Sequence, residues 1–223
     1  MSSAIDPAND EKAFALLVAC GDWPGSEERN RGVRAAHEAI EEDWHPFLVM
    51  VKRHQMSMHA ASALRDAGIT LPENLVRIDG EQRIRALSLA GEAARLLVSL
   101  DECGIRAIVL KGPLLSQIIY DDPAMRQSAD LDLLVDWDQF RSAREALSSH
   151  GYQLFTNEPP WDDWRIEPWR RLAKDITLFH PEREISLELH HRLKSPDTLL
   201  PGIGVAQATQ SITMAGREFA AFE

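Results

Sequence analysis

The segment Ala129–Val135 places two carboxylates two residues apart in an otherwise apolar run. If this run forms a strand, Asp130 and Asp132 project from the same face, because side chains alternate along a strand. Two like charges held so close need a positive partner. A Mg²⁺ ion shared with nucleotide phosphates supplies one, since Mg²⁺ takes one or two carboxylates together with phosphate oxygens. The alternative is that both aspartates belong to a solvated edge or turn.

A second feature with phosphate chemistry lies upstream, where the apolar run 105–110 ends in Lys111, Gly112 and Pro113. This pattern predicts a strand that turns sharply into a helix, because glycine allows positive-φ geometry and proline suits the first helical position. Such a junction directs backbone N–H groups and the positive end of the helix towards an anion. Lys111 would add a point charge for a phosphate. An ordinary turn with a surface lysine is the alternative.

A third acidic group falls in the apolar segment Ile185–His190. Alternation places Glu188 and His190 on one face and the leucines, with His191, on the other. Glu188 is costly to bury unless it meets a cation, so it is a candidate third carboxylate for the same metal site. His190 could bind phosphate, orient a carboxylate or contact the metal, or it could be structural. For His191 the structural interpretation is favoured.

These separated motifs resemble those of the uncharacterised nucleotidyltransferase family, within the DNA polymerase β-like nucleotidyltransferase superfamily. The resemblance covers roughly residues 100 to 193. It implies an α/β (α+β) nucleotidyltransferase fold with a mixed sheet. It also implies Mg²⁺-dependent transfer of a nucleoside monophosphate from a nucleoside triphosphate, such as ATP, to an acceptor. The motifs that carry it are Leu110–Gly112, Arg126, Asp130–Val135, Gly151–Tyr152 and Leu187–His190.

The resemblance assigns the metal ligands residue by residue. Asp130 and Asp132 become the shared ligands of two Mg²⁺ ions, and Glu188 becomes the third carboxylate, nearest the acceptor hydroxyl. Two metals in one site stabilise both the attacking and the leaving oxygen. Positioning and charge neutralisation supply most of the rate in such transfers. The three acids are therefore the predicted catalytic residues.

The resemblance also assigns contacts to the nucleotide. Gly112 takes the phosphate-turn role, with Lys111 beside it. The Gly-Ser or Gly-Gly turn usual in the superfamily is Lys-Gly-Pro here, so Ser116 is only a weak substitute for the phosphate-binding serine. From its place in the polar approach to the acidic strand, Arg126 either pairs with Asp130 or contacts a phosphate. His190 completes the predicted set.

Composition narrows the acceptor. The 223 residues include 35 acidic and 24 basic residues, for a formal net charge of −11. A general nucleic-acid binder needs a basic face, so a nucleic-acid partner is not expected. A peptide, a protein or a small molecule fits better as the acceptor. The only two cysteines, Cys20 and Cys103, are most simply buried thiols. No apolar stretch approaches about 18 residues, so we expect a cytoplasmic protein with no membrane partner.

Periodicity divides the chain into an N-terminal helical region, 1–103, and a catalytic core, 104–223. We expect a helical bundle followed by strands and helices in alternation. The predicted helices are Glu11–Cys20, Ser26–Asp43, Trp44–Ala67, Gly80–Cys103, Pro113–Tyr120 and Trp137–His150. The predicted strands are Ile105–Leu110, Leu131–Val135, the hairpin Asp175–His180 with Ile185–His190, and Arg217–Phe222.

Three further interpretations stay open. The segment Thr156–Arg171 holds three tryptophans, which stack on a nucleobase, act as a lid, or anchor a loop or short helix to the core. The whole domain could also be a catalytically silent, antitoxin-like or partner-binding module on the same fold. A third possibility is a metal-dependent phosphohydrolase that uses the same carboxylates on water.

Overall fold

A computed structural model describes residues 7–41, 43–155, 157, 159–194, 202–207, 210–214 and 216–222. Contacts divide the chain into two compact units. The first comprises Met1–Ala86 and Ala124–Gln127, and the second comprises Leu87–Pro123 and Ser128–Glu223. The domain boundary expected at 103/104 stays a prediction.

The first unit is helical. Its core is built from apolar side chains that recur at helical spacing, among them Leu16, Val33, Phe47 and Leu64, all at most 2% exposed. Burial of each such side chain contributes about 1.5–3 kcal/mol. The helices are α1 (Pro7–Cys20), α2 (Glu27–Ala39), α3 (Trp44–Arg53), α4 (Ser57–Asp66) and the first part of α5 (Glu73–Glu102).

The single helix predicted over Trp44–Ala67 is wrong, because the chain leaves α3 before α4 begins. Gln55 takes a left-handed conformation, with φ of 56°. The N–H of Met56 then donates to the carbonyl of Val51 at 3.0 Å. This pair of features is the helix-ending motif that glycine usually supplies. A non-glycine residue in that position gave no sequence signal.

The second unit contains a five-stranded mixed sheet, which confirms the predicted α/β fold class. The strand order is β1-β2-β5-β4-β3, with β2 and β5 parallel and the other neighbours antiparallel. The predicted hairpin is confirmed. Beyond the last part of α5, the elements are β1 (Ala107–Val109), α6 (Gly112–Tyr120), β2 (Asp130–Val135), α7 (Trp137–Ser149), β3 (Gln153–Leu154), α8 (Ile166–Leu172), β4 (Asp175–His180), β5 (Ile185–His190), a short 3₁₀ helix (Val205–Gln207), β6 (Gln210–Met214) and β7 (Arg217–Ala221).

The two faces of the sheet differ in chemistry. Leu131, Leu133, Leu187 and Leu189 are buried in one core cluster with apolar residues of α5 and α7. Alternation therefore sends the polar side chains of β2 and β5 to the other face. The leucines fix which way each strand faces, because a slip of one residue would bury the charges in this core.

Three details correct or extend the predictions made from the sequence. Cys103 is exposed, whereas Cys20 is buried as expected. The sequence did not predict β6. This strand pairs with β7, which lies where the last strand was predicted. Within the tryptophan-rich segment, Trp161 and Trp169 pack against the core, whereas Trp164 is 81% exposed.

In the part of the chain that the structure describes, no helix combines the length and apolar character needed to cross a membrane.

Candidate metal centre

Two carboxylates meet across the parallel pair β2 and β5. Asp132 and Glu188 are directly opposite in the strand register. Both point away from the leucine core, because each lies between two buried leucines on its strand. The Asp132 side chain is only 3% exposed, whereas that of Glu188 is 30% exposed. Asp132 is thus fixed in the protein interior, and Glu188 is the carboxylate that solvent can reach.

His190 joins the two acids from the next position on the same face of β5. Its Nε2 lies 3.1 Å from Asp132 Oδ1 and 3.3 Å from Glu188 Oε2. One ligand atom from each of the three residues lies within 4.8 Å of the other two. The imidazole is buried, with 3% of its side chain exposed. The structure therefore brings together three of the residues that the sequence singled out.

Asp175 stands behind His190 and was not predicted as a site residue. It is the register partner of His190 across β4 and β5. Its Oδ2 lies 3.5 Å from His190 Nδ1. Both atoms are buried; Asp175 Oδ2 is also paired with Lys174, whereas His190 Nδ1 has no hydrogen-bond partner among the described residues. The imidazole thus lies between carboxylates on its two sides.

Two lysines balance part of this negative charge. Lys111 Nζ lies 2.8 Å from Asp132 Oδ1. Lys174 pairs with Asp175 and lies 3.5 Å from Glu188 Oε2. Burial on its own would lower the pKa of the Lys174 ammonium group, but its hydrogen bond to Asp175 and the nearby carboxylate charges outweigh burial and raise that pKa. We call the set of Asp132, Glu188, His190, Asp175, Lys111 and Lys174 the strand-face cluster.

Asp132 is ionised near neutral pH. Burial on its own would raise the pKa of this carboxyl group. Hydrogen bonds from His190 and Lys111, with the charge of Lys111, outweigh burial and hold the pKa at about 2. Asp132 therefore offers a carboxylate, not a carboxylic acid, to any cation.

The predicted phosphate turn lies beside this carboxylate. Gly112 has φ of +63°, and a Cβ there would lie 3.3 Å from Ser128 Oγ, so a side chain would be strained and crowded. Lys111 is the N-cap of α6, but its side chain makes no capping hydrogen bond. The N–H of Leu110 donates to the carbonyl of Asp132 at 3.0 Å, which ties the turn to β2. The first backbone N–H groups of α6 therefore lie next to the acidic site.

The other predicted site residues are placed differently. Asp130 is half-buried at the start of β2, opposite Ser186, and lies outside the three-residue ligand group. Ser116 is fully buried and donates its hydroxyl to the carbonyl of Asp122 at 2.7 Å, which weighs against a phosphate contact. Arg126 belongs to the 124–127 segment of the first unit. The roles assigned to these three residues stay predictions.

The donor set accommodates a divalent cation. Two carboxylates and an imidazole offer ligand atoms close enough for one ion to bind all three. Two of the three side chains are buried, where an ionised group needs a partner of opposite charge. A second ion would need further oxygens, which Asp130 and a phosphate would supply.

His191 has a structural place, as expected. Its ring contacts Trp137 and Phe140 with centroid separations of 4.8 and 5.1 Å, on the side of the sheet opposite to the cluster. Burial among these rings, with the charge of Arg192, lowers the pKa of His191 to about 4. It therefore stays neutral near pH 7 and takes no part in the metal site.

A family model described as an uncharacterised nucleotidyltransferase matches residues 41–223, well over half of the chain. No curated protein and no solved structure matches the chain.

Proposed function

We propose a specific reaction for this chain, which belongs to the uncharacterised nucleotidyltransferase family, as its motifs indicated. The reaction transfers a nucleoside monophosphate from a nucleoside triphosphate to a hydroxyl or phosphate of an acceptor. It requires a divalent cation, with Mg²⁺ expected from the sequence. The observation that carries this proposal is the convergence of Asp132, Glu188 and His190 on one sheet face, beside the turn that opens α6.

The bonds formed and broken are those of a single displacement. The acceptor oxygen attacks the α-phosphorus, and a new P–O bond forms there. The bond between the α-phosphorus and the oxygen bridging to the β-phosphate breaks, and pyrophosphate leaves. The acceptor loses its proton as the new bond forms. Bound divalent ions would supply neutralisation of the triphosphate charge and a lower pKa for the attacking hydroxyl.

The residues of the site contact the cation, the triphosphate or the acceptor. Asp132 and Glu188 would hold the cation from adjacent strands. Lys111 releases Asp132 and turns its ammonium group to the triphosphate, since Lys111 is 54% exposed and lies at the N-terminus of α6. Gly112 lets the backbone approach the phosphates. Glu188, the more accessible carboxylate, faces the acceptor and takes its proton.

The acceptor is a peptide, a protein or a small molecule. The formal net charge of −11 opposes binding to a long nucleic acid, whose phosphates need a basic surface. The cytoplasmic location expected from the sequence accords with such acceptors and stays a prediction.

Ligand-dependent melting tests the proposal first. We expect one nucleoside triphosphate among ATP, GTP, CTP and UTP to stabilise the protein only with Mg²⁺ or Mn²⁺ present. Ligand at a hundred times its Kd adds about 2.7 kcal/mol, which raises Tm by roughly 5–11 °C for a chain of this size. No shift with any nucleotide would favour the partner-binding module.

Turnover then separates transfer from hydrolysis. Pyrophosphate release that depends on an added acceptor supports transfer, whereas phosphate release without an acceptor supports the phosphohydrolase. Glu188→Gln should lower kcat at least about 100-fold with little change in nucleotide affinity, because a general base acts in the transition state. Glu182→Gln, at an exposed acid of the β4–β5 turn, is the matched control. Equal loss of binding and turnover in Glu188→Gln would contradict the assigned role.

A further inference from the structure

The candidate ligands are not all oxygens. Asp132 and Glu188 offer carboxylate oxygens, but the third ligand atom is the Nε2 of His190. Mg²⁺ prefers an all-oxygen octahedron and keeps several of its waters. Imidazole nitrogen favours first-row transition ions, whose affinities rise from Mn²⁺ through Co²⁺ to Cu²⁺. The chemistry of the donor set therefore bears on which cation binds.

The far side of the His190 ring is also arranged for metal binding. A histidine that binds a metal through one nitrogen usually donates its other N–H to a carboxylate, which fixes the tautomer and the ring orientation. Asp175 Oδ2 lies 3.5 Å from His190 Nδ1 and is also paired with Lys174. The Nδ1 atom has no hydrogen-bond partner among the described residues. A buried carboxylate oxygen that a lysine already holds thus faces a buried ring nitrogen that is unmatched.

The backbone explains why this pair is aligned. Asp175 and His190 occupy opposed positions of the β4–β5 ladder, and the next backbone bond runs from the N–H of His191 to the carbonyl of Lys174 at 3.0 Å. Lys174 pairs with the same carboxylate and orients it from the solvent side. The ring of His190 is held on strands and not on a loop, which limits its motion.

From these observations we propose that His190 is a metal ligand through Nε2, that Asp175 is its positioning residue through Nδ1–H, and that the site takes a first-row transition dication in preference to Mg²⁺. With a metal bound, the proton of the neutral ring would lie on Nδ1, and Nε2 would offer its lone pair beside the oxygens of Asp132 and Glu188. This inference concerns the site of the proposed function and rests on that placement of the metal. It adds the identity of the nitrogen ligand and the class of the ion.

The experiment uses Co²⁺ alone, without nucleotide, on the full chain. Calorimetric titration with Co²⁺ and competition with Mg²⁺ give the two affinities for wild type, His190→Gln and Asp175→Asn. We expect wild type to bind Co²⁺ at least about 100-fold more tightly than Mg²⁺, since a nitrogen ligand favours the transition ion. Loss of a metal ligand or of its orienting carboxylate lowers affinity about 10–100-fold. His190→Gln should therefore bind Co²⁺ at least about 100-fold more weakly than wild type, and Asp175→Asn about tenfold more weakly. The Mg²⁺ affinity should change little in either variant.

A measurement on the wild-type protein covers the case in which a variant fails to fold. In the Co²⁺ complex, proton NMR should show one strongly shifted, exchangeable imidazole N–H resonance, from Nδ1–H of a histidine bound through Nε2. Its absence would overturn the proposal. His54→Gln is the matched control, because His54 is exposed in the first unit, and it should keep both the resonance and the Co²⁺ affinity.

The outcomes separate this inference from the proposed function. Unchanged preference for Co²⁺ over Mg²⁺ in His190→Gln would overturn the inference, even if the enzyme transferred nucleotides. Loss of that preference, together with the shifted N–H resonance in wild type, would support the inference even if no nucleotide were transferred.

Discussion

The second unit contains two buried polar clusters that resemble each other in composition and differ in how completely their atoms are paired. One is the strand-face cluster. The other, which we call the Glu92 network, lies where α5 meets the loop before β3 and consists of Glu92, Arg95, Ser99, His150, Tyr152 and Arg183. Both centre on a carboxylate that is 3% exposed, Asp132 in the first and Glu92 in the second.

In the Glu92 network every oxygen of the central carboxylate is matched. Arg95 binds Glu92 through two nitrogens at 2.6 and 2.9 Å, Tyr152 donates to it at 3.0 Å, and Arg183 lies 3.5 Å away. The network extends through Arg95 to His150. A network in which both oxygens of the central carboxylate are paired stabilises the fold and leaves neither oxygen free for a further ligand.

In the strand-face cluster the pairing is incomplete. Three carboxylates, those of Asp132, Glu188 and Asp175, face two lysines and one imidazole. One buried atom of the cluster, His190 Nδ1, has no hydrogen-bond partner among the described residues. Buried polar groups are normally paired, and each exception asks for an explanation such as an ion. Burial and charge are common to both clusters, so we base the proposed site on what differs, namely the incomplete pairing and the convergence of ligand atoms in the strand-face cluster.

The largest expected effect is that of Asp132→Asn, which removes charge from the cation site. Loss of several kcal/mol of transition-state stabilisation corresponds to at least about a 1,000-fold fall in kcat/KM. Pyrophosphate release measures it, and circular dichroism checks that the variant is folded at the assay temperature. Asp162→Asn, at an aspartate that is 84% exposed, is the control and should keep full activity. Full activity in Asp132→Asn would contradict a catalytic role for the strand-face cluster.

Glu92→Gln should produce the opposite pattern, with a loss of stability and no loss of chemistry. Charged hydrogen bonds contribute about 1.5–3 kcal/mol each, and glutamine keeps the shape and one acceptor, so we expect a loss of about 2 kcal/mol. This lowers Tm by roughly 4–8 °C, measured by calorimetry. Specific activity at a temperature where the variant is folded should stay within about twofold. Glu81→Gln, at an exposed residue of α5 paired with Arg77, is the control.

That stability difference should depend on pH in a defined direction. Burial on its own would raise the pKa of Glu92, but its hydrogen bonds to Arg95 and Tyr152 and the charges of Arg95 and Arg183 outweigh burial and lower it below 4.5. A group whose pKa is lower in the folded state stabilises the protein above the unfolded-state pKa and loses that contribution as pH falls through the folded-state pKa. The Tm values of wild type and Glu92→Gln should therefore differ at pH 7 and converge as the pH falls through the lowered folded-state pKa of Glu92. A constant difference would exclude the charge as the source.

Part of the strand-face cluster followed from the sequence, and part did not. The turn at Gly112 and the sides of β2 and β5 on which the acids lie follow from residue type and alternation, which are local properties. The pairing of Asp132 with Glu188 does not, because parallel strands are joined by a long connection that leaves the register open. The resemblance implied that Asp130 and Asp132 bind the metal ions together. The candidate ligand group among the described residues contains His190 and does not contain Asp130.

Asp175 was missed although the sequence contained its signal. The hairpin turn 181–184 separates two strands of equal length, so a symmetric antiparallel register places Asp175 opposite His190, as the structure has it. The Glu92 network was missed for another reason. Its members come from α5, the loop before β3 and the β4–β5 turn, and only the packing of a long helix against the sheet brings them together.

The smallest expected effect, and the sharpest test of the closed network, is that of Tyr152→Phe. The hydroxyl of this fully buried tyrosine donates to Glu92 Oε1 at 3.0 Å, and its ring contacts His180 at 5.2 Å between centroids. Removing the hydroxyl costs about 1–1.5 kcal/mol, because it leaves an ionised acceptor with one donor fewer. Measured by denaturant unfolding in a cycle with Glu92→Gln, the two changes should couple by at least about 0.5 kcal/mol. If the two effects simply add, the contacts of the Glu92 network are independent of one another. The network would then not act as a unit, and this part of its contrast with the strand-face cluster would be lost.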